Sequence, residues 1–331
     1  MSKRLYLMND FILKSVAKSP PDKTKVDSCL ILQYHRVASL IHDPLQLSVD
    51  PHRFESQMEY LAENFNVISM ENLKYHLETR MPFRQRTVVV TFDCGYSDIL
   101  YTAKEVLEKY GIFATVFVPS ANIVEKNDFW WDILQDCLIA RPYTASLELE
   151  IDGRLLKWSL ASQLVRFQAF DELYTLLSNK TVCDRTAIIN QLVQKLHPSA
   201  AKDADSHRPM DCTELIELDR SRFITLGCYT HNCVKLDLLP KWQQIEEITK
   251  NKDVLEELLR HDIKYFAYPY GDSYGTETVE VVQEAGFNLA CGGSYDMFRF
   301  TDLHNSYELP RVKAGNWNPF TFYRFLKNFF S

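Results

Sequence analysis

The run Thr87-Val88-Val89-Val90-Thr91-Phe92-Asp93-Cys94-Gly95-Tyr96 decides the fold. It starts as a continuous apolar strand and ends on a carboxylate, a thiol and a glycine. A second run behaves alike: Phe223-Ile224-Thr225-Leu226 leads into Gly227-Cys228-Tyr229-Thr230-His231-Asn232-Cys233. Each places polar groups where a buried strand opens into a loop. In parallel α/β proteins that edge is the usual seat of chemistry.

Outward from these runs, strand and helix patterns alternate. Residues 29–34 read as a buried strand. Residues 51–65 carry Phe54, Met58, Leu61 and Phe65 at helical spacing. A short strand at 66–69 and a helix at 70–78 follow. Beyond the strand at 88–92, a helix over 99–110 is stopped by Gly111, and 113–118 is a strand again. The rhythm returns late: a long helix over 239–260 with Ile245, Ile248, Leu255, Leu258 and Leu259 on one face, a strand at 265–268, a helix at 276–285 ended by Gly286, and a strand at 288–291. Repeated β-α units of this length predict an α/β fold with a parallel, barrel-like sheet.

Residues 126–220 break the rhythm and read as a mostly helical insertion. Phe129 to Leu134 looks helical, and 161–197 is helical by period. Between them Leu147 to Ile151 alternates into Asp152-Gly153, which signals a hairpin. Residues 198–210 are polar. Trp130 and Trp131 either stack on sugar rings or fill core. The expected organisation is a helical arm and linker over 1–28, with a helix at 10–17, a barrel from 29–125 and 221–331, and the insertion.

The 331 residues are 46% hydrophobic and 24% charged, ample for one large domain with an insertion. A net charge of -7 argues against a nucleic-acid binder and leaves neutral or cationic glycans open. Eight cysteines without a CxxC point to a reducing compartment. The N-terminus makes a poor secretory signal, because Asn9, Asp10 and Lys14 interrupt its apolar residues. No run approaches the ~18 apolar residues of a membrane span. A cytoplasmic location is therefore expected, with a peripheral membrane contact as the alternative. Oligomeric state is left open.

The motifs resemble those of the polysaccharide deacetylases, the family 4 carbohydrate esterases with NodB-homology domains. The family's Thr-Phe-Asp-Asp-Gly is similar to Thr91-Phe92-Asp93-Cys94-Gly95, and its His-Thr-x-x-His-x-x-Leu to Tyr229-Thr230-His231-Asn232-Cys233-Val234-Lys235-Leu236. Phe266-Ala267-Tyr268-Pro269-Tyr270-Gly271 resembles the groove wall, Leu309-Pro310-Arg311-Val312 the segment of a base-orienting arginine, and Tyr34-His35-Arg36-Val37 the segment of a general acid. The resemblance implies removal of N- or O-acetyl groups from a glycan or glycan precursor. Asp93 would be the base, His35 the acid and Arg311 the group orienting the base, with Tyr268, Pro269, Tyr270 and Gly271 along the substrate groove. It also implies a metal held by Asp, His and His, and here all three positions differ: Cys94, Tyr229 and Cys233.

Intact chemistry would need a metal-activated water, a carboxylate to take its proton and an imidazolium to protonate the leaving group. Asp93 and His35 remain for the proton transfers. The cofactor is either none or a weakly held zinc through Cys94 and Cys233. Two thiolates cancel the zinc's formal charge, and His231 points away in a helical turn. A Cys94–Cys233 disulfide is a third reading, and a thiol nucleophile with His35 as base a fourth. The balance favours a degenerate metal site and loss of the usual activity. The alternative function is a non-catalytic glycan-binding or partner module in envelope-polysaccharide assembly. Glu246-Glu247 and Glu256-Glu257 read as solvated helix faces.

Overall fold

A computed structural model describes residues 28–83, 85–140, 146–196, 208–300 and 305–330. The arm expected over 1–27, including its helix at 10–17, lies outside the described residues.

Among the described residues nine strands form one sheet. Along it, Leu289–Cys291, Tyr265–Ala267, Ile224–Cys228, Ala114–Val118, Thr87–Asp93 and Ser28–Tyr34 follow one another in parallel. Phe298–Arg299 adds antiparallel to the start of Ser28–Tyr34, Val312–Lys313 adds parallel to its end, and Asn66–Val67 lies beside Thr87–Asp93. The sheet is curled and flanked by helices, as the alternating pattern predicts.

One short segment nearly closes the curl. Leu309 bridges to Cys291 at one edge, and three residues later Val312 pairs with Leu32 at the other. Backbone bonds hold it on both sides: the Gly292 N–H donates to the Leu309 carbonyl and the Ala314 N–H to that of Gln33, both at 2.9 Å. Arg311 therefore sits in the gap between the two edges.

Strand periodicity sorts the side chains into two cores. Leu30, Leu32, Val88, Val90 and Phe92 point outward under the helices. Cys29, Ile31, Val89 and Phe117 point into the curl. Gly227 is required there: a Cβ on it would lie 2.6 Å from the Phe117 ring. The helix Pro51–Asn64 buries Phe54, Gln57, Met58 and Leu61, with Asp50 capping its start through the His52 N–H. The helix Lys241–Leu259 buries Gln244, Ile248, Asn251, Leu255 and Leu259. Ile245, expected on that face, lies about 100° round the helix from Gln244 and is 39% exposed.

The insertion has its own core. Its helices Trp130–Leu138, Gln163–Leu177 and Val182–Leu196 pack with the hairpin Ser146–Ile151/Arg154–Ser159 around Leu134, Leu149, Phe170 and Ile189. The turn falls on Asp152 and Gly153, both with positive φ, as the Asp-Gly pair predicts. The helix Cys212–Asp219 belongs elsewhere, because Met210, Leu215 and Leu218 join the barrel core. The 2.9 Å bond from the Met210 N–H to the Gly95 carbonyl ties this segment, which lies within the span 126–220 expected for the insertion, to the barrel. No helix among the described residues is long and apolar enough to cross a membrane.

Candidate active site

Asp93 closes the strand Thr87–Asp93 and points into the curl, two residues beyond Thr91 on the same face. It is fully buried. Arg311, equally buried, grips it with both nitrogens: Nη1 to Oδ1 at 2.6 Å and Nη2 to Oδ2 at 2.9 Å. Gln33 Nε2 donates to Oδ2 at 2.6 Å. Arg311 is fixed in turn by its Nε, which donates to the Gly292 carbonyl, and by the Phe117 ring beneath it. The carboxylate is thus committed on both oxygens. Gln33 carried no motif; only its place on the inner face of a strand could have pointed to it.

The next residue, Cys94, adopts φ +76° and Gly95 φ +70°. Left-handed backbone at a non-glycine is costly and collects at functional sites. Cys233 repeats it at +51° and Tyr270 at +60°. Cys94, Tyr229 and Cys233 converge. All three belong to the inner apolar cluster and are nearly inaccessible. The Cys94 thiol, through its hydrogen bond to Cys233 and then its burial, is held well above the usual thiol range. Burial, then the Asp93 charge and both thiols, push the Tyr229 phenol up as well. All eight cysteines are free thiols, so the two face each other unbonded.

His231 turns away, as its spacing predicts. Its Nδ1 lies 2.8 Å from Ser120 Oγ. The loop that turns it is held by Glu247, which accepts from the Asn232 N–H and Nδ2 at 2.8 and 2.6 Å and whose carbonyl takes the His231 N–H. Glu247 is therefore a structural partner of the loop rather than part of a solvated face.

His35 reaches the same region. Burial, followed by the Lys313 charge, pushes its imidazole down to about 3; Asp93 pulls the other way and Arg311 adds to the fall. Its Nδ1 is buried without a hydrogen-bond partner. In this state the imidazole is neutral at ordinary pH, whereas the acid that the resemblance implies is an imidazolium. Lys313, two residues beyond Arg311, was not singled out by any motif; burial lowers its own pKa, while its Nζ donates to the Leu45 carbonyl.

The expected groove wall divides. Tyr268 is fully buried in the outer core, stacked on Tyr274 at 3.8 Å and donating to the Tyr307 carbonyl, so it lines no groove. Pro269 is buried. Gly271, φ +77°, packs on Gly293. Tyr270 alone faces the site, beneath the insertion. There Trp130 stacks on Tyr174 at 5.1 Å, and Arg185 lies over the Trp130 ring. Trp131 is core: it stacks flat on Phe129 at 4.7 Å and donates Nε1 to Tyr96 Oη. Tyr96 donates to Asp132, whose burial raises its carboxyl to about 7. Arg36 lies over the Tyr96 ring and pairs with Asp98 at 2.9 Å. None of Tyr174, Arg185 or Asp132 lies in a motif, so sequence gave no signal for them.

The fold and these motifs match known proteins. The polysaccharide deacetylase family matches residues 80–142 and 171–290, more than half of the chain, and the chain belongs to that family. It is 32% identical over 98 residues to YxkH of Bacillus subtilis, covering 29% of this chain and 34% of that one. It is 27% identical over 143 residues to the poly-β-1,6-N-acetyl-D-glucosamine N-deacetylase of Staphylococcus aureus, covering 39% and 49%. The chain thus spans between a third and a half of the length of these relatives. Among solved structures, the Streptococcus pyogenes deacetylase PplD in complex with acetate superposes with a TM-score of 0.60 at 15% identity, over 91% of this chain and 98% of that one. IcaB from Ammonifex degensii does so at 0.55 and 18%, over 91% and 96%. At such identities the likeness carries the fold alone.

Family members of this type hold a metal, and the residues here do not fit one. Among the described residues no group of three or more His, Cys, Asp or Glu side chains is placed to hold an ion. The chemistry at the three positions is also unsuited. Two thiols here would offer two thiolates, which cancel a zinc ion's formal charge, in place of the carboxylate and imidazole that the resemblance implies. Tyr229 offers only a phenol, which is not among the usual zinc donors. The imidazole that could help, His231, is bonded elsewhere.

Proposed function

We propose that this chain is a deacetylase-fold protein of glycan metabolism that does not run the family's metal-dependent deacetylation. It serves as a non-catalytic glycan-binding or partner module in envelope-polysaccharide assembly. One observation carries it: Cys94, Tyr229 and Cys233 pack as members of an apolar cluster where the family places its metal cradle. Polysaccharide deacetylases of the S. aureus type act on poly-N-acetylglucosamine by name, and a related glycan is the natural ligand class to test.

A second reading is a hydrolase with a weak zinc site built on the two thiols. The preserved Asp93–Arg311 pair favours it, because that pair is what the resemblance assigns to water activation. One experiment separates the two. Protein purified under reducing conditions is analysed for metal content and incubated with acetylated chito-oligomers. The proposal expects no stoichiometric metal and no acetate. One zinc per chain that is lost in Cys94→Ser, together with acetate release, would establish the second reading instead.

A further inference from the structure

Arg185 belongs to the insertion helix Val182–Leu196 and is only 4% exposed. Its guanidinium lies over the Trp130 ring, 5.2 Å from the centroid. Among the described residues it faces no carboxylate in ion-pair range. A cation so little exposed and without a carboxylate partner among the described residues is a favourable place for an anionic ligand.

The surroundings supply donors for such a charge. Tyr270, from the barrel, lies next to Arg185, with its hydroxyl buried and unpartnered. Trp130 Nε1 approaches that hydroxyl yet is itself buried and unpartnered. Tyr174 stacks on Trp130 and feels the same guanidinium. Lys235 Nζ lies over the Tyr270 ring, 5.4 Å from its centroid, and is tied to Asn179. Guanidinium, indole N–H and phenol O–H are all hydrogen-bond donors, and a planar guanidinium suits an oxoanion. The aromatic faces of Trp130, Tyr174 and Tyr270 suit a sugar ring or another flat apolar surface.

We propose that Arg185, Trp130 and Tyr270 form a binding site for the carboxylate or phosphate of an anionic sugar, at the seam between insertion and barrel. The site narrows the ligand class of the glycan-handling reading and rests on that reading only for the sugar. It does not depend on whether metal chemistry is lost.

The test is calorimetric titration of the full chain at low salt with glucuronate, glucose 1-phosphate and neutral glucose. Saturable binding of either charged sugar, with glucose weaker by about tenfold or more, is the expected result. Which of the two binds tells carboxylate from phosphate. Arg185→Gln should lose about tenfold or more in affinity, and Arg185→Lys should lie between, since it keeps the charge without the fork. Should Arg185→Gln fail to fold, Tyr270→Phe removes one donor with little change in packing and should still weaken binding several-fold. No saturable binding of either anion at millimolar concentration overturns the site. So does equal binding of glucose, or anion binding that Tyr270→Phe and Arg185→Lys both leave unchanged. Acetate release is not read, so a failure here leaves the loss of deacetylation standing.

Discussion

Asp93 and Arg311 are 218 positions apart in the chain and meet as a doubly bonded ion pair with no solvent on either side. Gln33 completes the carboxylate's shell at 2.6 Å. Such pairs are costly to break from one side, because the survivor is left charged and dry. Arg311→Ala should therefore lower unfolding stability by about 3–5 kcal/mol. Asp93→Leu combined with Arg311→Met should cost less than either single change. Urea unfolding measures both, and a cost for Arg311→Ala under about 1 kcal/mol would contradict the geometry.

Thiol titration reports the packing of the site. Cys183 is the exposed cysteine and Cys212 is partly so, while the other six are buried. In native buffer an aromatic disulfide reagent should label Cys183 quickly and Cys212 slowly. Cys94 and Cys233 should respond only on unfolding. Fast labelling of either would mean an accessible hollow.

Two buried groups give opposite pH slopes. The Asp132 carboxyl, raised to about 7 by burial, binds its proton more readily in the folded chain. It therefore adds stability as pH falls from about 7 towards 4. His35, lowered to about 3 chiefly by burial, is charged more readily in the unfolded chain. It removes stability as pH falls below about 6.5. The two should largely offset each other in the native protein between pH 6.5 and 4. Asp132→Asn should become less stable on acidification over that range, and His35→Gln more stable. Urea midpoints at pH 7.5 and 5 check this, and slopes of the same sign in both variants would refute it.

Restoring the family's ligand types tests the alignment of the motifs. Cys94→Asp, Tyr229→His and Cys233→His together should create a zinc or cobalt site with one ion per chain. The two thiols and the phenol already converge, so the new side chains would do so too. Failure to bind either ion would show that the three positions do not form the cradle.

A single methyl probes the inside of the curl. Gly227→Ala would drive a carbon against the Phe117 ring, on which Arg311 rests. Overpacking of this kind typically costs about 1–3 kcal/mol. Thermal unfolding should show it, and an unchanged midpoint would mean that the ring moves freely.

Much of this was legible from residue pattern. Buried parallel strands announce themselves as unbroken apolar runs, and Asp-Gly at 152–153 fixed a hairpin. The motifs also brought Cys94, Tyr229, Cys233 and Asp93 to one place before any coordinates. What escaped was tertiary. Ile245 has the right hydrophobicity but the wrong phase on its helix, a difference of one residue that composition cannot resolve. Tyr268 lies in the groove motif yet faces the outer core, because successive strand residues alternate sides. Glu247 looked like a solvated charge until the loop at 229–235 folded over it. Arg185 and Tyr174 carry no motif, since their role comes from the docking of the insertion and not from local spacing.

The segment 309–313 acts as a clasp made late in the chain. During synthesis five of the six parallel strands of the trough precede residue 311 by more than 40 positions, and until it emerges Asp93 has no arginine to meet. The unfinished trough would keep water at its floor. Sealing and charge pairing then happen in one event, so the aspartate's dryness becomes a late checkpoint for the whole chain. A released fragment ending before 309 should accordingly exchange the amides of Gln33 and Gly292 with solvent, and the 331-residue chain should protect them.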